Sequence, residues 1–468
     1  MNFFFTLLFI TTAYITPPVL FGPLAPYHIE IVIAFLAVIS SFPSLNNSGL
    51  LRWPQTYATI GLCLAVIASF VGNGYFGGAP PALYGFLISA AAFFLTAVNC
   101  RSRAHLRWIV LSMFLCSLFY IAHGASDVYH HVNPSQYVFG AEVLPRIRGL
   151  GVVNDPNDFA QVMVSLIPCV FLWKSRSHLL NIFLVWFPIA LLITGMYLTH
   201  SRGSAIALMV VCALAARKKI GTVPAIVLAG LLLIAALGAG WSGGRDVSME
   251  AGSDRLDAWS AGLEMIKSHP FVGVGAGRFW DFYGITAHNT VIVCAAEIGL
   301  SGLICWVFFI FSTYRLGFAF FKTGEPDEKS AELTDVIPST SELWRPDIQK
   351  NVGTRQTSPP VQSAHSFWMS PPMEVRKIDH DELRRIASIL MISLTGFLAA
   401  GWFLSRAYSM WLFLYVGMVC ATARMANENG LKIRRDAPGY LMRWSIFIAA
   451  GLLLFVYVLL RYRTLTER

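Results

Sequence analysis

Thirteen apolar stretches recur along the 468 residues of this chain, near 2–21, 28–46, 56–73, 81–99, 107–123, 158–173, 178–199, 203–216, 222–241, 288–321, 385–404, 408–424 and 441–460. A helix that crosses a bilayer needs about 20 apolar residues, within a range of ~17–25. Most of the stretches reach that range and 203–216 falls short of it, so twelve or thirteen crossings are expected. Lipid offers no partner to a bare amide, so a spanning segment closes its backbone hydrogen bonds within itself. The prediction is an all-α polytopic integral membrane protein, with a large extracytoplasmic loop that carries short helices. Composition agrees: 56% of residues are apolar and only 13% charged, about half the charged share of a soluble domain.

The net charge of +9 requires no nucleic-acid partner, because the basic residues gather in short loops, where they set topology. Arg101, Arg103 and Arg107, then Lys174 and Arg176, then Arg217, Lys218 and Lys219 alternate with weakly charged or long loops at 74–80, 124–157, 200–202 and 242–287. Basic loops stay in the cytoplasm, which puts the second set and His288 outside and the N-terminus inside. Arg461, Arg463 and Arg468 would then fall outside if every stretch spans, and this conflict predicts one crossing fewer. The eight cysteines form no C-x-x-C pair and lie in or beside apolar segments, so they read as small packing residues. Asn2 to Phe21 lacks a basic leader and a clear cleavage site, and is expected to be a retained helix.

Four regions follow. Residues 1–123 form an N-terminal set of helices, and 124–321 form a core with outer loops 124–157 and 242–287. Residues 322–384, rich in Pro, Ser, Thr, Glu and Lys, read as a disordered cytoplasmic insertion. Residues 385–468 return to spanning helices.

The polar interval from Trp241 to Ala287 is the long one among the first ten apolar stretches, and it ends at His288-Asn289, where an apolar helix begins. On a wheel of 100° per residue, Ile292, Ala295, Gly299 and Gly302 fall within about 40° of His288. Ala295 and Gly299 then make a small-residue stripe suited to close helix packing in lipid, while Glu297 falls on the opposite face. Residues 254–268 align Leu256, Trp259, Leu263 and Ile266 as a short amphipathic helix, lying on the bilayer or over the site and ended by Pro270. Gly273, Gly275 and Gly277 read as a flexible link able to bring Arg278 and backbone amides to an anion. Their spacing is neither G-x-G-x-x-G nor a P-loop, so no nucleotide is implied. Asp155-Pro156 is a helix start in which capping accounts for each residue.

His288-Asn289-x9-Gly299-x-x-Gly302 resembles the signature of the O-antigen ligase family of membrane glycosyltransferases. Arg255-Leu256-Asp257-Ala258-Trp259, the run His269 to Phe279, Arg148-Gly149, Asn154-Asp155-Pro156-Asn157 and Ser201-Arg202-Gly203 fit the same pattern, over roughly 146–302. The resemblance implies transfer of a glycan from a polyprenyl (undecaprenyl) diphosphate to an acceptor hydroxyl, without a cofactor, on the outer face of the bacterial cytoplasmic (inner) membrane. Membrane lipids and a lipid or protein acceptor are the implied partners.

Such a donor needs cations for its phosphates, and guanidinium grips phosphate with a two-pronged fork. Arg202 and Arg148 rank first for that role, then Arg255 and Arg278; Arg146, Arg245 and Arg406 are the other outer arginines. His288, with an ordinary pKa near 6.5, is the expected base, and His200 beside Ser201-Arg202 is the alternative. Asn289, Gly299 and Gly302 are supporting positions. His130-His131 lack carboxylates at matching spacing, so no metal is expected. The outer carboxylates Asp246, Glu250, Asp254, Asp257 and Asp281 fall in no paired glycosidase pattern. Ligase, polymerase and protein O-glycosylating readings differ only in acceptor and stand together. A lipid-linked glycan transporter or flippase is the reading of another class; it would carry internal repeats and charges within its spans, whereas here charge gathers in loops and at helix ends.

Overall fold

The computed structural model describes residues 2–46, 48–132, 134–140, 144–242, 249–322 and 379–466. Arg245, Asp246 and nearly all of the expected insertion at 322–384 lie outside the described residues. A helix occupies each apolar stretch. In order they are α1 (Asn2–Ile15) with the short α2 (Pro17–Leu20), α3 (Ile29–Leu45), α4 (Pro54–Val71), α5 (Ala79–Asn99) and α6 (Arg103–Tyr129). Then come α7 (Pro156–Val170), α8 (His178–Asn181), α9 (Phe187–Leu198), α10 (Arg202–Ile220) and α11 (Thr222–Gly238). The polar interval holds α12 (Met249–Ser268) and α13 (Phe279–Tyr283), and the chain continues as α14 (Thr290–Lys322), α15 (His380–Gly401), α16 (Met410–Glu428) and α17 (Pro438–Thr466). The strands β1 (Val138–Phe139) and β2 (Arg146–Ile147) pair antiparallel, Val138 opposite Ile147.

Among the described residues, eight helical segments are long and apolar enough to cross a membrane, and α3 and α11 are shorter apolar helices. The remaining stretches are α7, α10 and α16. Nearly every side chain of α7 and α16 is buried, so these two run inside the bundle, away from lipid. Gly417 of α16 lets the helix approach Phe93 and Thr96 of α5 closely, the small-residue contact that packs helices where no hydrophobic force drives them together. Arg424, deep in the same seam, donates to the carbonyls of Ala97, Val98 and Cys100 at 2.8, 3.1 and 2.7 Å. Those are the orphan acceptors of the α5 C-terminus. All eight cysteines are free.

Side-chain pairs sort the helix ends into two groups. At one end Asn2 bonds Ser44 (2.8 Å), Arg103 pairs with Glu382 and Arg315 with Asp436 (2.6 Å). At the other Trp259 donates to the Ala287 carbonyl (2.8 Å) and Arg463 pairs with Asp257 (2.8 Å). Helix α17 therefore starts at the Arg315 end and finishes beside α12. Arg463 does reach the His288 end, where Asp257 pairs with it.

The expected stripe on α14 is corrected. The helix breaks at Gly299, whose φ of 69° and ψ of −175° are not helical. The run His269–Phe279 crosses the break. Val274 N–H donates to Ala296 O (2.9 Å), Gly275 N–H to Glu297 O (3.0 Å), and Leu300 N–H to Pro270 O (2.8 Å), while the Ser301 hydroxyl caps Phe271 O (2.6 Å). A Cβ on Gly299 would collide with the Phe271 backbone, and one on Gly273 with Glu297. These glycines let loop and helix backbones touch. The link is tied down, and its amides at 274 and 275 are already used.

Candidate functional site

His288 sits where α7, α10 and α14 all begin. Its φ is +46°, the left-handed region, which costs a residue with a side chain about 1–3 kcal/mol. The flanking bonds hold it there. Asn289 caps α14 by accepting from Val291 and Ile292 N–H (3.0 and 3.2 Å), and its amide donates to the Trp402 carbonyl (3.2 Å). The Thr290 hydroxyl lies 2.6 Å from Gly401 O and 2.7 Å from Leu404 O, and accepts the Arg406 N–H at 3.3 Å. On the other side Thr286 accepts the His288 N–H (3.3 Å) and bonds Ser405 (2.5 Å). The buried Trp259 of α12 binds Ala287 and stands edge-on to Trp402. The amphipathic helix thus lies over this end.

The charges around His288 come from four elements. Burial is the larger cause that holds the imidazole below its ordinary pKa, the charge of Arg255 is the second, and Asp155 opposes both. Arg255 itself is held below its usual range by burial and then by Arg202. Arg202 stands in the first turn of α10, after the cap Ser201, whose hydroxyl accepts the Ser204 N–H (3.4 Å). Arg406 pairs with the buried Asp158 of α7. Although burial pulls its pKa down, Asp158 and Asp155 hold the guanidinium above its ordinary value. Arg202, Arg255 and Arg406, an imidazole whose pKa is held low, and the positive ends of three helix dipoles make this an anion-accepting end of the bundle.

Other expected residues are engaged elsewhere. Arg148 donates to the Gln136 and Ser135 carbonyls (3.2 and 3.1 Å) and covers the Phe139 ring. Arg278 pairs with Asp281 at 2.9 Å and lies against Tyr75 and Phe282. His200, buried, places Nδ1 3.2 Å from the Trp241 carbonyl and meets Tyr197 edge-on. Glu297 accepts the Phe279 N–H (3.3 Å), away from His288 as its helical angle requires. Gly299 is the break in α14 and Gly302 lies three residues beyond it. Among the described residues, no three His, Cys, Asp or Glu side chains gather as a metal site would need.

Residues 187–307 match the model of the O-antigen ligase family. The resemblance read at 146–302 is thereby borne out over its larger part. The matched segment includes His200, Arg202, Arg255, Arg278, His288, Asn289, Gly299 and Gly302, and leaves out Asp155, Asp158 and Arg406. Comparison with curated proteins gives no match. Of the three groups outside the segment, sequence reasoning named Arg406 only among the lower-ranked outer arginines and Asp155 only as a helix cap within a family-like run, and it gave Asp158 no role. Asp155 does cap α7, accepting the Asn157 N–H at 2.7 Å, and that plain role hid its charge effect on His288. Arg406 follows His288 by more than a hundred residues and belongs to no local motif, so only folding brings it to the site.

Proposed function

We propose that this multi-pass membrane protein, whose O-antigen ligase segment suggests a glycosyl-transfer role, moves a glycan from a polyprenyl diphosphate to an acceptor hydroxyl. The observation that carries the reading is a half-buried histidine at the start of α14, its pKa held below the ordinary value by burial and by Arg255, with Arg202 next in line. The acceptor oxygen attacks the anomeric carbon, the carbon–oxygen bond to the diphosphate breaks, and His288 takes the hydroxyl proton. The leaving lipid diphosphate gains about one negative charge, which Arg202 and Arg255 stabilise as it develops. Asp155 steadies the imidazolium. A single displacement inverts the anomeric centre, and the arginines supply the neutralisation that a divalent ion would otherwise provide.

The far end of the bundle carries Arg101, Arg103, Arg107, Lys174 and Arg217 to Lys219, the side that stays in the cytoplasm. His288 then works at the outer face of a bacterial inner membrane. Purified protein in nanodiscs, supplied with a polyprenyl diphosphate glycan and candidate acceptors in EDTA, should form product of inverted configuration. Retained configuration, or transfer that stops in EDTA and returns with one added metal ion, refutes this mechanism. The same assay separates lipid, protein and glycan acceptors.

A further inference from the structure

The end of the bundle opposite His288 holds a second polar feature, apart from the transfer site. The loop 429–437, between α16 and α17, folds against the start of α4 and the later turns of α14, and the three enclose a pocket of about 20 Å³. A water-sized atom needs ~10–15 Å³, so one such atom fits inside. Gln55, the second residue of α4, lines this pocket and is only 1% exposed. Its amide oxygen has no hydrogen-bond partner among the described residues. A buried polar atom left bare costs stability unless something meets it.

The charges at the mouth are of one sign. Arg315 is gripped by both oxygens of Asp436 (2.6 and 3.1 Å). Asp436 is the one carboxylate among the lining residues, and that pairing uses it. Arg435 lies over the Trp53 ring, 3.9 Å from its centre, and donates to the Arg52 carbonyl (2.9 Å). Arg434 is exposed beside it. Neither Arg434 nor Arg435 has a carboxylate partner among the described residues. The positive end of the α4 dipole adds to their field.

We propose that this pocket binds a phosphate ester carrying a free hydroxyl, the chemistry of a phosphatidylglycerol headgroup. The hydroxyl enters the pocket and donates to the Gln55 amide oxygen; a hydroxyl is small enough and both donates and accepts. The phosphate stays at the mouth, where Arg434 and Arg435 grip its oxygens. A simple anion such as chloride has no proton for Gln55. An ammonium in place of the hydroxyl has one, but the guanidinium charges around the pocket repel it. Basic pockets between helix ends draw anionic lipids of the adjoining leaflet, and the indole of Trp53 suits headgroup depth. The inference stands independently of glycosyl transfer.

Full-length protein in detergent, titrated with dioleoyl phosphatidylglycerol or dioleoyl phosphatidylethanolamine and read by native mass spectrometry, tests the site. The first phosphatidylglycerol should bind at least five-fold more tightly than the first phosphatidylethanolamine. Gln55→Leu replaces the unmet amide with an apolar side chain of similar size, and should cut that preference below two-fold while the protein stays folded; Gln55→Met serves if the leucine variant does not fold. Arg434→Gln, on the exposed rim, should weaken phosphatidylglycerol about five-fold. Excess glycerol 3-phosphate separates two sources of the same chemistry. If it is taken up and displaces the lipid, the site serves a soluble phosphate ester; if it does not, the leaflet lipid is the ligand. A preference that the Gln55 variant keeps overturns the hydroxyl assignment, and unchanged affinity in Arg434→Gln overturns the phosphate assignment. A wild-type protein that binds both lipids alike and takes up no glycerol 3-phosphate overturns the site altogether.

Discussion

At the scale of single residues, His288 and Arg255 carry the sharpest expectations. His288→Ala should cut transfer by about 10²–10⁴-fold while undecaprenyl diphosphate binding stays near normal; a variant with near-normal turnover would pass the role of base to His200. The pH profile tests the pair. Burial and Arg255 both lower the His288 pKa, so the acid limb of kcat/KM should fall below the ordinary histidine value near 6.5. Neutralising Arg255 as Arg255→Gln removes one of those causes, and the limb should move to higher pH. A limb that stays or moves down contradicts the assignment. Sequence made His288, Arg202 and Arg255 legible because each sits in a short motif at a helix start or on an amphipathic face. Arg148 ranked high for the same reason, yet its guanidinium bonds its own loop, a choice of partner that no local pattern encodes.

At the scale of elements, the hydropathy of each stretch declared a helix because lipid leaves the backbone no alternative. The break in α14 was not legible. Apolar periodicity runs on through Gly299, and what interrupts the helix is a loop some twenty-five residues upstream whose own glycines match it. Gly299→Ala should therefore destabilise the protein by about 1–3 kcal/mol from the positive φ alone, with the clash against Phe271 added. Gly230→Ala in α11 is the contrast: nothing lies near its missing Cβ, and the change should be neutral or gain roughly 0.4–1 kcal/mol. Thermal unfolding in one detergent compares the two. If both variants melt alike, the break is incidental.

At the scale of the molecule, the two groups of helix ends give an arrangement that chemistry can read from outside. In a cysteine-free background, Ser260→Cys on exposed α12 should react with an impermeant thiol reagent in intact spheroplasts, and Lys219→Cys, at the α10 end, should react only after lysis; the opposite result turns the protein over and moves His288 to the cytoplasm. Ser248 and Ser339, which sequence alone would suggest, lie outside the described residues. The pairing of Arg463 with Asp257 bears on how the protein is made as well as how it stands. A ribosome delivers His288, α12 and the arginines at 202 and 255 first, and only later the segment 401–406 that braces Thr290 and the helix that anchors α12. Until those later crossings are in the membrane, the histidine has its neighbours in sequence but not the walls around it. The walls around His288 therefore close late, first with the segment 401–406 and then with α17.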